Sequence, residues 1–217
     1  MEKEEVFSIM GKYYGNAYYK SANLTPEDAL VITKALDEIN VLGYNFSNLH
    51  AVEKTCDPKI VKIITNLYKE YSPQISIGLK EGLLSCLSKK QYHSAVPFLL
   101  NLYSREKEFR LKFRISDVLF HIRDKAYESE YFQIIGQSVY RQCDRIYDLL
   151  CVMKSQIAYQ RIIELVRRYP NEFKLSFLRY GWYYKDSKLI PLIETFLHDK
   201  DLEVCMIARQ ALRKITT

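Results

Sequence analysis

The residues best suited to recognition recur in one pattern. The string Arg110-Leu111-Lys112-Phe113-Arg114-Ile115-Ser116-Asp117-Val118-Leu119 returns 31 residues later as Arg141-Gln142-Cys143-Asp144-Arg145-Ile146-Tyr147-Asp148-Leu149-Leu150. On a helix, positions i, i+4 and i+7 share a face. Each string therefore projects two guanidiniums and one carboxylate together, opposite Leu111, Ile115, Val118 and Leu119 in the first copy. His121 extends the first stripe by one turn. A guanidinium is planar, permanently charged and forked to match carboxylate or phosphate. The implied chemistry is capture of an acidic ligand by Arg110, Arg114, Arg141 and Arg145, with Asp117 and Asp148 orienting them. The competing reading is that Arg114–Asp117 and Arg145–Asp148 are ordinary i,i+3 pairs on solvated helices.

The run Tyr180-Gly181-Trp182-Tyr183-Tyr184 holds the only tryptophan of the chain. Phe173, Phe177, Tyr180 and Tyr184 make one helical stripe, and Leu175, Leu178 and Trp182 make another. Apolar surface on two sides suits a helix packed by both neighbours. Tyr183 falls outside both stripes, so it is expected to be exposed and available as an interface anchor. Eighteen tyrosines among 217 residues supply contact area with a hydroxyl at low entropic cost. A looser basic zone runs through Arg161, Arg167, Arg168, Lys174, Arg179 and Lys185. Arg167 and Arg168 precede Pro170, where they complement the dipole of a helix that ends there.

Enzyme chemistry finds no such support. There is no glycine-rich phosphate loop, no GxSxG and no zinc signature. The four histidines (50, 93, 121, 198) form no pair at i+3 or i+4, and the five cysteines (56, 86, 143, 151, 205) form no CxxC. No catalytic residue, cofactor or metal is expected. The thiols read as reduced and buried in a cytoplasmic protein. The acidic start MEKEEVFSIM lacks the apolar run of a signal peptide, and no stretch is long and apolar enough for a membrane span.

The elements that must carry these residues read as helices throughout. Only 7 Gly and 6 Pro are present, and the segments between breakers follow a 3.6-residue period. A first helix is expected over residues 2–19, ending in Tyr13, Tyr14, Tyr18 and Tyr19. Thr25-Pro26-Glu27-Asp28 then opens a helix running to about Leu42, with a cap, a proline at the first position and acids facing the dipole. A short helix follows Ser47. Asp57-Pro58 and Ser72-Pro73 open the next two. Further hairpins follow, and the last, Leu189 to Ile215, pairs Leu189, Leu192, Ile193 and Phe196 with Val204, Ala208, Ala211, Leu212 and Ile215. Pro97 and Pro191 both lie in apolar-Pro-apolar segments, a turn inside their helices, where a bend is expected. Charge is uneven: residues 1–104 hold 11 Lys, no Arg and 11 acids, whereas residues 105–217 hold 9 Lys, all 12 Arg and 15 acids, a net +6.

The terminal hairpin resembles a HEAT repeat in its apolar-Pro-apolar-apolar first helix, Asp199 at the turn, Asp201-Leu202-Glu203-Val204, and the Ala208/Ala211-Leu212 pattern. The likeness covers residues 188–215, extends less fully to 94–122, and has Cys205 where the family usually carries Arg. It implies a right-handed α-solenoid of about five to six HEAT-like hairpins in one domain, 1–217. Irregular helices would occupy 1–56, with repeats at about 57–89, 92–124, 129–154, 156–185 and 187–217. Second helices would line a shared concave face, which sets the two arginine stripes side by side. The function expected is a non-catalytic protein-interaction module, an adaptor or an inhibitor of the immunity type, that holds an acidic protein partner. The alternatives are a nucleic-acid binder or a structural subunit of a larger assembly. The first of these includes the HEAT-like alkylpurine DNA glycosylases, for which Trp182 and Asp148 would be the nearest counterparts of the aromatic wall and carboxylate.

Overall fold

The computed structural model describes residues 24–137 and 144–216. The expected first helix with its tyrosine cluster, together with Arg141 and Cys143, lies outside them. Among the described residues are twelve α-helices, four short 3₁₀ turns and no strand. A single domain was the expectation; the chain divides into two compact units, Met1–Ile122 and Arg123–Thr217. Each is described by itself.

In the first unit the helices are α1 (Pro26–Asn40), α2 (Leu49–Glu53), α3 (Pro58–Tyr71), α4 (Ile77–Ser85), α5 (Val96–Arg105) and α6 (Phe109–Ile122). Start signals set their beginnings. The Thr25 hydroxyl accepts the Asp28 N–H at 3.1 Å while Asp28 Oδ2 accepts the Thr25 N–H at 3.2 Å, a complete capping box. Asp57 accepts the Lys59 N–H at 2.9 Å ahead of Pro58. The fourth helix departs from expectation: Ser72 ends α3, and Ser76 caps α4 by accepting the Leu79 N–H at 3.2 Å. Asp28 explains the choice. It is fully buried, and its Oδ1 accepts the Ser76 N–H at 2.8 Å, tying the beginnings of α1 and α4 to one carboxylate. Pro97 is also placed differently. It occupies the first turn of α5, where the N–H it lacks would have no helical partner, so nothing bends.

Packing follows hairpin order. Helix α3 packs on α1 and α4, α2 on α4, and α6 on both α4 and α5. Ile60, Ile64, Leu83, Leu84, Val96, Leu99, Ile115 and Leu119 are fully buried between them. Each such side chain contributes about 1.5–3 kcal/mol relative to exposure. Tyr92 is equally buried, and its hydroxyl donates to the Thr55 carbonyl at 3.2 Å while accepting the Asp57 N–H at 2.9 Å, which fixes the approach to α3.

The second unit comprises α7 (Glu128–Gln137), α8 (Asp144–Val152), α9 (Tyr159–Arg168), α10 (Pro170–Tyr180), α11 (Ile190–Glu194) and α12 (Leu202–Thr216). Helix α10 is its centre, packed against α8, α9 and α12, while α11 lies on α12 and α7 on α8. The apolar surface expected on two sides of that helix is explained by this. Phe173 and Phe177 are fully buried, with the Phe173 ring 5.0 Å from that of Tyr147. After Tyr180 the helix tightens into a 3₁₀ turn, Gly181–Tyr184, that touches α8, α10 and α12. Glycine is required at its start: a Cβ on Gly181 would stand 2.8 Å from two ring carbons of Phe177. Pro191 occupies the first turn of a short α11, like Pro97 in α5. The hairpin turn is held by Asp199, whose carboxylate accepts from Lys174 of α10 at 2.8 Å, and by Cys205 Sγ, which contacts the Asp199 carbonyl at 3.1 Å.

Candidate functional site

Helix α6 carries the first stripe as the spacing demanded. Leu111, Ile115, Val118, Leu119 and Ile122 are buried on one side, so Arg110, Arg114, Asp117 and His121 face the other. Their charges are largely engaged within the molecule. Arg110 is two-thirds exposed yet grips Glu81 of α4 with both arms of its fork, Nε to Oε1 at 2.8 Å and Nη2 to Oε2 at 2.6 Å. Arg114 Nη1 lies 3.5 Å from Asp117 Oδ2, the ordinary i,i+3 pair. His121 Nδ1 sits 2.7 Å from the Asp117 carbonyl. A carbonyl only accepts, so that ring nitrogen carries the proton.

What the pattern did not flag is the aromatic pair beside the stripe. Phe109 and Phe113, one turn apart, are 48% and 44% exposed. Both lie nearly opposite the Leu111–Ile115–Val118–Ile122 row, about 150–170° of helix rotation away, and that offset was the available signal. Arg105, Lys107, Arg110 and Lys112 flank them along the sequence. The nearby acids are used locally: Glu106 Oε1 accepts the N–H groups of Lys107 and Glu108 at 2.8 and 2.9 Å, and Glu108 accepts that of Arg110 at 3.3 Å. Carboxylates at a helix N-terminus satisfy donors that have no helical partner.

The second stripe lies in the other unit, and of it Arg145 and Asp148 are described. Arg145 Nη1 contacts Asp148 Oδ2 at 3.3 Å. Asp148 is 4% exposed, and its Oδ1 makes no hydrogen bond among the described residues. Burial pushes its carboxyl up to about 6, against the opposing pull of the Ser176 hydroxyl on α10 and the Arg145 and Arg179 guanidiniums. A desolvated carboxylate without full hydrogen bonding favours its neutral form. Asp148 is thus a core group rather than a surface orienter. Arg179 in turn contacts Glu203 of α12 at 2.8 Å.

Tyr183 is partly buried instead of projecting into solvent. Its ring stacks on Trp182, centroids 4.1 Å apart and planes 27° apart. Trp182 Nε1 donates to the Arg179 carbonyl at 2.6 Å, and Lys214 and Lys185 hold their ammonium groups 4.3 and 5.8 Å from the indole centroid. Of the cysteines described, Cys86, Cys151 and Cys205 are buried as expected, whereas Cys56 is exposed. Burial raises the Cys86 and Cys151 thiols, which suits inert structural roles. Among the described residues, no group of His, Cys, Asp and Glu could hold a metal ion, and no helix is long and apolar enough to cross a membrane.

Comparison of the chain with family models, curated proteins and solved structures finds no match.

Proposed function

We propose that this chain is a non-catalytic protein-interaction module that docks an acidic partner on the outer face of α6. The carrying observation is the exposed pair Phe109 and Phe113 on a segment that also carries Arg105, Lys107, Arg110 and Lys112. Aromatic and arginine side chains dominate binding energy at protein interfaces because they desolvate large flat surfaces at modest entropic cost. Glu106 and Glu108 accept backbone N–H groups at the start of the helix. The arginines alone do not carry this reading, since Arg110 and Arg114 already have carboxylate partners; they frame the aromatic anchors and steer an acidic surface toward them.

The scaffold proposed is a HEAT-like α-solenoid. Supporting it, within each unit the helices pair as neighbours (α3 with α4, α5 with α6, α9 with α10, α11 with α12). Second helices pack on second helices (α4 with α6, α8 with α10, α10 with α12). The Lys174–Asp199 bond ties the turn of the last hairpin to α10. The test is affinity capture with wild type and with F109A/F113A. Both rings are half exposed, so the variant should keep the wild-type melting temperature and lose partner affinity about 30-fold or more. Capture of the same proteins at the same yield would overturn the proposal.

A further inference from the structure

We propose that the surface around Trp182 in the second unit is a binding site for a phosphate group, gripped by Lys185 and Lys214. Two ammonium groups from distant parts of the chain converge on a single indole, Lys214 at 4.3 Å and Lys185 at 5.8 Å from its centroid. Both lysines are exposed, and neither pairs with a carboxylate among the described residues. The carboxylates closest along the chain and on the packed helices are committed elsewhere. Asp186 accepts from the Tyr159 hydroxyl at 2.5 Å and from the Lys188 N–H at 2.9 Å, and Glu203 holds Arg179. An oxyanion seated beside the indole would receive charge-assisted hydrogen bonds from both ammonium groups.

The arrangement is also built rather than incidental. The indole cannot rotate freely, because Nε1 donates to the Arg179 carbonyl and Tyr183 stacks on the ring. Lys185 is held as well: its Nζ donates to the Lys214 carbonyl at 2.5 Å. Its backbone is left-handed, with φ 53° and ψ 33°, a conformation that glycine or asparagine adopts at less cost. Gly181 makes the site possible by letting the 3₁₀ turn close onto Phe177 and reach α12, which supplies Lys214.

The chain's only tryptophan stands in this site, so its fluorescence is a direct reporter. The full chain is titrated at constant ionic strength with inorganic phosphate, with a single-stranded homopolymer oligonucleotide, and with chloride as control. A saturable change with phosphate identifies a site for the free anion. A change with the oligonucleotide alone identifies a strand phosphate as the source, and its affinity should fall with salt with a log–log slope of about −1.4, two phosphate contacts on a single strand. Either outcome supports the site. K185G retains the left-handed backbone while removing the ammonium group, and K214Q keeps the side-chain length. Each should weaken binding about tenfold or more, and K185G should melt no lower than wild type. A response to phosphate and oligonucleotide no larger than to chloride, or unchanged affinity in the K185G/K214Q variant, overturns the proposal.

Discussion

Asp148→Asn should stabilise the protein at neutral pH, which is an unusual expectation for a buried residue in contact with an arginine. The carboxylate is 4% exposed, lacks a partner for Oδ1, and titrates at about 6 in the folded chain against 3.8 for an ordinary aspartate. Between those values the folded state binds more protons than the unfolded state, so stability falls as pH rises. The contribution is fully present below pH 4 and lost as pH passes through 6. A displacement of that size corresponds to about 3 kcal/mol. Asparagine keeps the shape and carries no charge. D148N should therefore match wild type near pH 4 and exceed it by about 2–3 kcal/mol at pH 7.5. Urea melts at both values, followed through Trp182 fluorescence, measure the difference. Other titrating groups cancel when variant and wild type are compared at each pH. If D148N were the less stable protein at pH 7.5, Asp148 would be held chiefly by its ion pair with Arg145. The desolvation argument would then be wrong.

Two further substitutions test the fold. Asp28→Ala removes the one fully buried side chain that accepts from both Thr25 and Ser76, leaving two half-buried N–H groups without their partner; a loss of about 1–3 kcal/mol in urea unfolding is expected, whereas Glu27→Ala beside it should change little. Gly181→Ala places a methyl group 2.8 Å from the Phe177 ring, which is enclosed and has no room to move; a destabilisation of about 1–3 kcal/mol with a shifted Trp182 emission is expected.

Much of the helical layout was legible before any coordinates because local chemistry sets it. Thr25, Asp57 and the prolines after them mark helix starts through hydrogen bonds that reach only a few residues. The α6 stripe and its buried face follow from the 3.6-residue period alone. The start of α4 was not legible: Ser72-Pro73 carries the local signal of a helix start, yet Ser76 caps the helix. The choice fell to Asp28, 48 residues away along the chain. The expectation that Pro97 and Pro191 bend their helices failed for a related reason: the preceding 3₁₀ turns, His93–Ala95 and Ser187–Leu189, carry the chain up to the proline and leave it in the first helical turn.

The candidate sites divide along the same line. Sequence determined which residues share a helix face, because that depends on backbone geometry common to every helix. It also determined that the chain would be helical. Tertiary structure decided what each face meets. Arg110 is answered by Glu81, Asp148 is enclosed by α10, Tyr183 lies on Trp182, and Lys214 is brought to Lys185. Charge and exposure depend on the distance to groups remote in sequence and on how much water remains between them, and no local pattern of residues records either.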